Sequence, residues 1–146
     1  MASPGSNRER GSSGAEQGSF VLKFINTVDI PPPEHKSKPS PYLRAYIAMQ
    51  IVELGDDQEQ HFHLKRISDI VCTPTKLDVH NVMWNSFRDL RIKPPSDSRL
   101  IVEIFHQTHD PTKPDNLLGK AEIALSRLDA EPLTVSLVTP PKVQSN

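Results

Sequence analysis

Histidine is the side chain in this sequence best suited to proton transfer or metal binding near neutral pH, and the chain has six. His61 and His63 stand close together, and His106, His109 and Asp110 form a second group. A zinc site needs a complete set of histidine, cysteine or carboxylate ligands at workable spacings, and neither group supplies one. The sequence therefore predicts no metal site at these histidines.

Nucleophilic catalysis also has no recognisable residue set. A serine or cysteine nucleophile needs a base and an orienting acid, and no serine and histidine spacing stands out. Cys72 is the only cysteine, so no disulfide can form within the chain, and we expect it to be a small buried side chain. A glycine loop that cradles phosphate is missing, because four of the six glycines lie in residues 1–18. The sequence indicates a binding module with no cofactor and no enzymatic activity.

One group of cationic side chains lies in a proline-rich segment, residues 31–41. It contains three consecutive prolines followed by Glu34, His35, Lys36 and Lys38. Prolines stiffen the segment, and a stiff loop loses less conformational entropy when it binds a partner. The alternative is a solvent-exposed connection that binds nothing.

A second group follows later in the chain, and its members are His61, His63, Lys65 and Arg66. The first three alternate and would point to one face of a strand. Each cation near an anionic membrane contributes about 1 kcal/mol to binding. The alternative is a solvated polar face opposite buried Phe62 and Leu64.

Short strands must position these side chains, because period-two alternation of apolar and polar residues dominates the chain. The runs predict eight strands, at residues 20–30, 43–51, 60–67, 69–76, 84–92, 99–106, 118–125 and 133–138. Fourteen prolines argue against long helices, and only a helical turn at residues 126–130, capped by Ser126, is expected. Many short strands with proline-rich connections predict an all-β fold, an eight-stranded antiparallel β-sandwich.

Composition divides the chain into three parts. Residues 1–18 are rich in glycine, serine and charge and are expected to be a disordered tail, residues 19–138 a single domain, and residues 139–146 a tail or linker. The formal net charge of −1 argues against nucleic acid as a partner. No apolar run is long enough for a signal peptide or a membrane span. These features predict a cytoplasmic protein, with association to the membrane surface or the cytoskeleton left open.

Four motifs of the sequence, in order and the last of them in two parts, resemble one known family. They are VDIP at 28–31, SPYLRAY at 40–46, NVMWNSF at 81–87, and LIVEIF at 100–105 with NLLGKA at 116–121. Together they are similar to the C2 domain, and the resemblance covers nearly all of residues 20–137. It implies a Greek-key β-sandwich that binds membranes or proteins through loops at one tip, and it gives Trp84 a packing role.

The resemblance also places calcium-ligand positions on this chain. They fall on Glu34, Ser40, His106, Thr108, Asp115 and Asn116. Calcium takes six to eight oxygen ligands and favours carboxylates, and most of these residues are not carboxylates. Together with Asp110, the carboxylates that remain are too few for a strong site. The chain is therefore similar to the calcium-independent members of the family.

A calcium-independent C2 domain implies docking onto an anionic phospholipid membrane through its tip loops and basic face. The residues expected to bind lipid or a partner are His35, Lys36, Lys38, His61, His63, Lys65, Arg66 and His109. The alternative is a scaffold module that binds a protein, and no lipid, through the sandwich face or an edge strand. The sequence does not decide between these two functions.

Overall fold

Seven β-strands form within the part of the chain that this computed structural model describes, residues 17–128 and 132–139. They are β1 Val21–Thr27, β2 Pro41–Leu54, β3 Gln60–Arg66, β4 Val71–Cys72, β5 Val82–Asp89, β6 Arg99–His106 and β7 Asn116–Ala124. One turn of 3-10 helix, Leu125–Arg127, follows β7.

The seven strands form two antiparallel sheets. The larger sheet has the order β3-β2-β6-β7, and β4 pairs with β2 on the same side as β3. The smaller sheet consists of β1 and β5. The predicted all-β antiparallel sandwich is confirmed.

The core lies between the two sheets and takes one face of each strand. Every second residue of β2 from Leu43 to Ile47 is buried, and Phe24 and Trp84 cover these residues from the smaller sheet. Full burial of one such large apolar side chain contributes about 1.5 to 3 kcal/mol. The Trp84 indole N–H also donates to Thr27 Oγ1 at 2.8 Å, so the expected packing role of this residue is confirmed.

Three local predictions were wrong. Residues 132–137 form no strand, and only Val138 makes a β-bridge, to Lys120 of β7. The 3-10 turn begins at Leu125, which places Ser126 inside it, and no side chain caps it. Cys72 is exposed because it lies opposite Arg44, on the face of the larger sheet that points away from the core.

Several sequence predictions concern residues outside the described ranges. The expected tails at residues 1–18 and 139–146 fall there except for residues 17, 18 and 139, as do residues 129 and 130 of the predicted turn.

Strand β2 is much longer than its neighbours. Its 14 residues pair with β6 from Pro41 to Ala48, and beyond Ala48 they pair only with β3. Residues 49–65 therefore project from the sandwich as a two-stranded ribbon, here called the β2–β3 ribbon. At about 3.3 Å per residue, β2 spans roughly 40 Å.

Candidate functional site

Three loops meet at one end of the sandwich. They are residues 28–40, 73–81 and 107–115, here called the first, second and third tip loops. They meet because the end of β1 pairs with the start of β5, and the start of β2 pairs with the end of β6. The antiparallel register therefore places all three loops at the same end.

Ser40 connects all three tip loops through its backbone and side chain. Its N–H donates to His106 Nδ1 at 2.9 Å, and its carbonyl accepts the N–H of Gln107 at 2.9 Å. Its hydroxyl oxygen accepts the N–H of Asp78, in the second loop, at 3.2 Å. Ser40 and His106 are both buried. Two positions expected to correspond to calcium ligands are thus occupied by hydrogen bonds within the protein.

The hydrogen bond from Ser40 fixes the protonation state of His106. Because Nδ1 accepts a hydrogen bond from the backbone N–H of Ser40, the imidazole is neutral with its proton on Nε2. Burial lowers the pKa of His106, and the positive charges of Lys36 and His109 lower it further. Asp115 and Asp78 act in the opposite direction without reversing the shift.

Asp115 closes the third tip loop. One carboxylate oxygen accepts the Tyr42 hydroxyl at 2.6 Å, and the other accepts the backbone N–H of Thr108 at 3.1 Å. The bond from Tyr42, followed by those from Thr108, lowers the pKa of Asp115. Burial and the same bond raise the pKa of Tyr42. Asp115 therefore holds the loop to β2 as a charged hydrogen-bond acceptor.

Asp110 is used within the third loop as well. Its Oδ1 accepts both the hydroxyl, at 2.6 Å, and the backbone N–H, at 2.9 Å, of Thr112. These bonds lower the pKa of Asp110. Both third-loop carboxylates therefore already have hydrogen-bond donors within the loop.

The first tip loop exposes its cations. The Lys36 N–H donates to the Pro33 carbonyl at 3.2 Å, and His35 has a φ of 66°, as the third residue of a type II turn requires. Pro33 is buried and anchors the turn, whereas residues 34–38, from Glu34 to Lys38, are exposed. Within the described residues no carboxylate lies within 4.0 Å of the Lys36 or Lys38 ammonium.

The other predicted tip residues lie beside this turn. His109 is exposed in the third loop, Thr108 is half-buried within it, and Asn116 is exposed where β7 begins, opposite His106. The structure brings all of them to one end of the sandwich. Whether they bind a partner stays a prediction.

The second tip loop was missed at the sequence level because residues 69–76 were predicted to form one strand. The strand there is β4, two residues long, and the chain then turns away to reach β5. Pro74 and Asp78, both common in turns, were the available signal. This loop adds Leu77, which is 66% exposed, and Val28 of the first loop is 58% exposed nearby.

The second predicted basic group lies on the β2–β3 ribbon. The register places His61, His63 and Lys65 on one face, as predicted, opposite Glu53, Ile51 and Met49. This face also carries acid, since His61 Nε2 lies 3.2 Å from Asp57 Oδ1 and His63 Nδ1 lies 3.4 Å from Glu53 Oε1. Arg66 pairs with Ala48 and belongs to the other face.

Phe62 was expected to be buried, and this was wrong. It is 59% exposed, and Val52 directly opposite it on β2 is 50% exposed. Val52 has the same parity in β2 as Arg44 and Tyr46, so this apolar face points away from the core and no second sheet covers it. Leu64, closer to the sandwich, is half-buried.

The two predicted basic groups do not form one surface. The first lies beside the start of β2, and the second pairs with the residues from Ala48 to Glu53, roughly 23 to 40 Å from Pro41 by strand rise. The two groups must be considered as separate sites.

A search of the described residues finds no group of three or more histidine, cysteine, aspartate or glutamate side chains that could hold a metal ion. A cleft of about 710 Å³ runs between β7 and residues 134–139, lined in part by Leu117, Lys120 and Val135. None of the residues predicted to bind lipid, partner or calcium lines it. Among the described residues, no helix has the length and apolar character needed to cross a bilayer.

The sequence was also compared with known protein families, and the C2 domain model matches residues 18–137. The chain belongs to the C2 domain family. The resemblance predicted from the motifs is confirmed. C2 domains bind membranes or proteins and are generally not catalytic.

Two solved structures are similar to this C2 domain. The C2A domain of plant extended synaptotagmin 1 matches with 13% identity and a TM-score of 0.49, covering 73% of this chain and 67% of that chain. The BON1 C2B domain matches with 21% identity and a TM-score of 0.46, covering 74% of this chain and 63% of that chain. No curated protein matches the sequence significantly.

Proposed function

We propose that this C2 domain docks onto anionic phospholipid membranes without calcium, through its first tip loop. The observation that carries the proposal is the replacement of ion-mediated contacts by hydrogen bonds among the loops. Ser40 and His106 bond to each other, and Asp115 accepts from Tyr42 and Thr108. The tip is therefore formed before any ion arrives.

The contact surface combines cations with apolar side chains. Lys36 and Lys38 are exposed on the first loop, and exposed Leu77 and Val28 lie at the same end. Asp110 and Asp115, which oppose these cations, already accept internal hydrogen bonds. Cations close to an anionic surface and apolar side chains that enter its headgroup region act together in peripheral binding.

The test is cosedimentation of the full chain with phosphatidylserine and phosphatidylcholine vesicles, in EDTA and in calcium. We expect equal binding in both, and weaker binding at high salt because salt screens exposed charges. Lys36→Ala/Lys38→Ala removes two cations at about 1 kcal/mol each and should weaken binding about 30-fold.

The matched control is Lys65→Ala/Lys93→Ala, which removes the same charge from exposed positions away from the tip. It should bind vesicles as the wild type does. The proposal fails if phosphatidylserine vesicles are not bound, if binding requires calcium, or if both double variants weaken binding equally.

A further inference from the structure

Strand β3 is an edge of the larger sheet. It pairs with β2 on one side, and on its other side no strand of the described residues pairs with it. An exposed edge presents unpaired backbone N–H and C=O groups and can accept a further strand. The seven residues of β3 are long enough for such pairing.

The hydrogen bonds show which backbone groups of β3 face outward. At the two ends of the β2–β3 pairing, Ile67 N–H donates to the Ile47 carbonyl and Gly55 N–H donates to the Glu59 carbonyl. All four residues have odd numbers, and hydrogen-bonded pairs alternate along an antiparallel ladder. The odd residues of β3 therefore bond to β2. The N–H and C=O groups of Phe62 and Leu64 point to the open edge.

The side chains of β3 define what strand would fit there. His61, His63 and Lys65 lie on one face, Phe62 and Leu64 lie on the other, and the strand contains no carboxylate. In an added antiparallel strand, the residue opposite each of these would stand about 4.5 to 5.5 Å away, between Cβ atoms. Carboxylates at alternate positions would meet the histidines and Lys65. Apolar residues between them would meet Phe62 and Leu64.

A second copy of this chain does not supply the same complement. Antiparallel pairing of two β3 strands keeps equivalent faces together, and residues 60–66 contain no carboxylate. A pair centred on His63, for example, sets Lys65 opposite His61 of the other copy. An acidic strand supplies the opposite charges that β3 itself lacks.

We infer that the free edge of β3 binds an extended peptide segment in which acidic and apolar residues alternate, adding it to the sheet as a further strand. The backbone groups of Phe62 and Leu64 supply the hydrogen bonds, and the basic face of the strand selects the acidic residues. This site is distinct from the tip loops, and a failure of the membrane-docking proposal would not affect it.

The test is titration of the full chain with the synthetic peptide EVEIEV, followed by calorimetry and amide hydrogen exchange. We expect saturable binding and new protection of the amides of Phe62 and Leu64. The block-ordered peptide EEEVVI has the same composition and charge but cannot alternate, and it should bind about tenfold more weakly or worse.

Two variants separate backbone pairing from side-chain contact. Phe62→Pro removes an N–H that faces the open edge, a position where an edge strand tolerates proline, and should abolish peptide binding while the protein stays folded. Phe62→Ala removes the ring but keeps the N–H, and should retain weaker binding. The inference is overturned if EVEIEV does not bind, if EEEVVI binds equally well, or if binding leaves the amides of Phe62 and Leu64 unprotected. If Phe62→Pro fails to fold, the amide protection measured on the wild-type chain still tests the inference.

Discussion

Glu103 is a buried carboxylate on the face of β6 that points away from the core, and Arg44 of β2 neutralises it. The Arg44 Nη2 lies 2.7 Å from Glu103 Oε1, and the guanidinium carbon lies 4.6 Å from the centre of the Phe105 ring. The side chain of Glu103 is 8% exposed and that of Arg44 is 35% exposed. Loss of Arg44 would remove the only cation within 4.0 Å of this buried carboxylate among the described residues.

Arg44→Ala should lower the free energy of unfolding by about 2 to 3 kcal/mol, somewhat less than a fully buried pair because Arg44 is partly solvated. Arg99→Ala is the matched control. It removes the same side chain from a pair with Glu122 in which both partners are about 40% exposed, and it should cost less than about 1 kcal/mol. Urea unfolding measures both values. If both variants lose the same free energy of unfolding, the burial of Glu103 does not determine the stability that the Arg44 pair contributes.

At the scale of loops and strands, the three tip loops are held in one arrangement by the contact between Ser40 and His106. Protonated His106 would present a donor at Nδ1 toward the Ser40 N–H, which is also a donor. Because its pKa is lowered in the folded state, protons bind more readily to the unfolded chain. The contribution of His106 to stability is therefore complete above its unfolded pKa of about 6.5. It declines as pH falls through the lower folded value.

The variant His106→Asn keeps an acceptor oxygen near the position of Nδ1 but does not titrate. From about pH 7.5 to about pH 5, its free energy of unfolding should fall less than that of the wild type. His35→Asn replaces an exposed histidine of the same end, in a left-handed conformation that asparagine tolerates, and should keep the wild-type slope. If the free energies of unfolding of the wild type and of His106→Asn fall equally with pH, His106 is not the group responsible for the pH dependence.

The strands that face the core could be predicted because burial imposes a period of two on their residues. The alternation of apolar residues from Leu43 to Ile47 matches the alternation of buried and half-buried positions in β2. The end of β2 near Leu54 was missed, since both faces of the ribbon meet solvent and no core requires a pattern there. The hydrogen bond between Ser40 and His106 joins residues that are 66 apart in sequence, and no local sequence pattern predicts such a contact.

At the scale of the whole molecule, the protein carries a formal net charge of −1, and hydrogen bonds within the protein join its tip loops. Ligands that bind only the folded state raise its stability by mass action. An ion with a dissociation constant of about 10 μM, supplied at about 1 mM, would add about 2.7 kcal/mol. If calcium adds no such stability, the result agrees with tip loops that are held together by internal hydrogen bonds.

Thermal unfolding curves of the full chain in calcium, in magnesium and in EDTA should therefore coincide. Circular dichroism measures the three midpoints, with magnesium as the control for nonspecific effects of a divalent cation. A rise in midpoint that saturates with calcium alone would show that the tip binds this ion. It would also contradict the reading of Ser40, His106 and Asp115 as internal hydrogen-bonding partners.

The length of β2 has a mechanical consequence. A membrane held at the tip loops and a peptide held on the ribbon would pull on opposite ends of the same strand. Such a force runs along the covalent backbone of β2 and passes to β3 through the hydrogen bonds that join these two strands from Ala48 to Leu54, which lie perpendicular to it. Those bonds would be loaded in shear, all together, and would not open one after another. If both partners bind at once, the domain would therefore resist unfolding at low force.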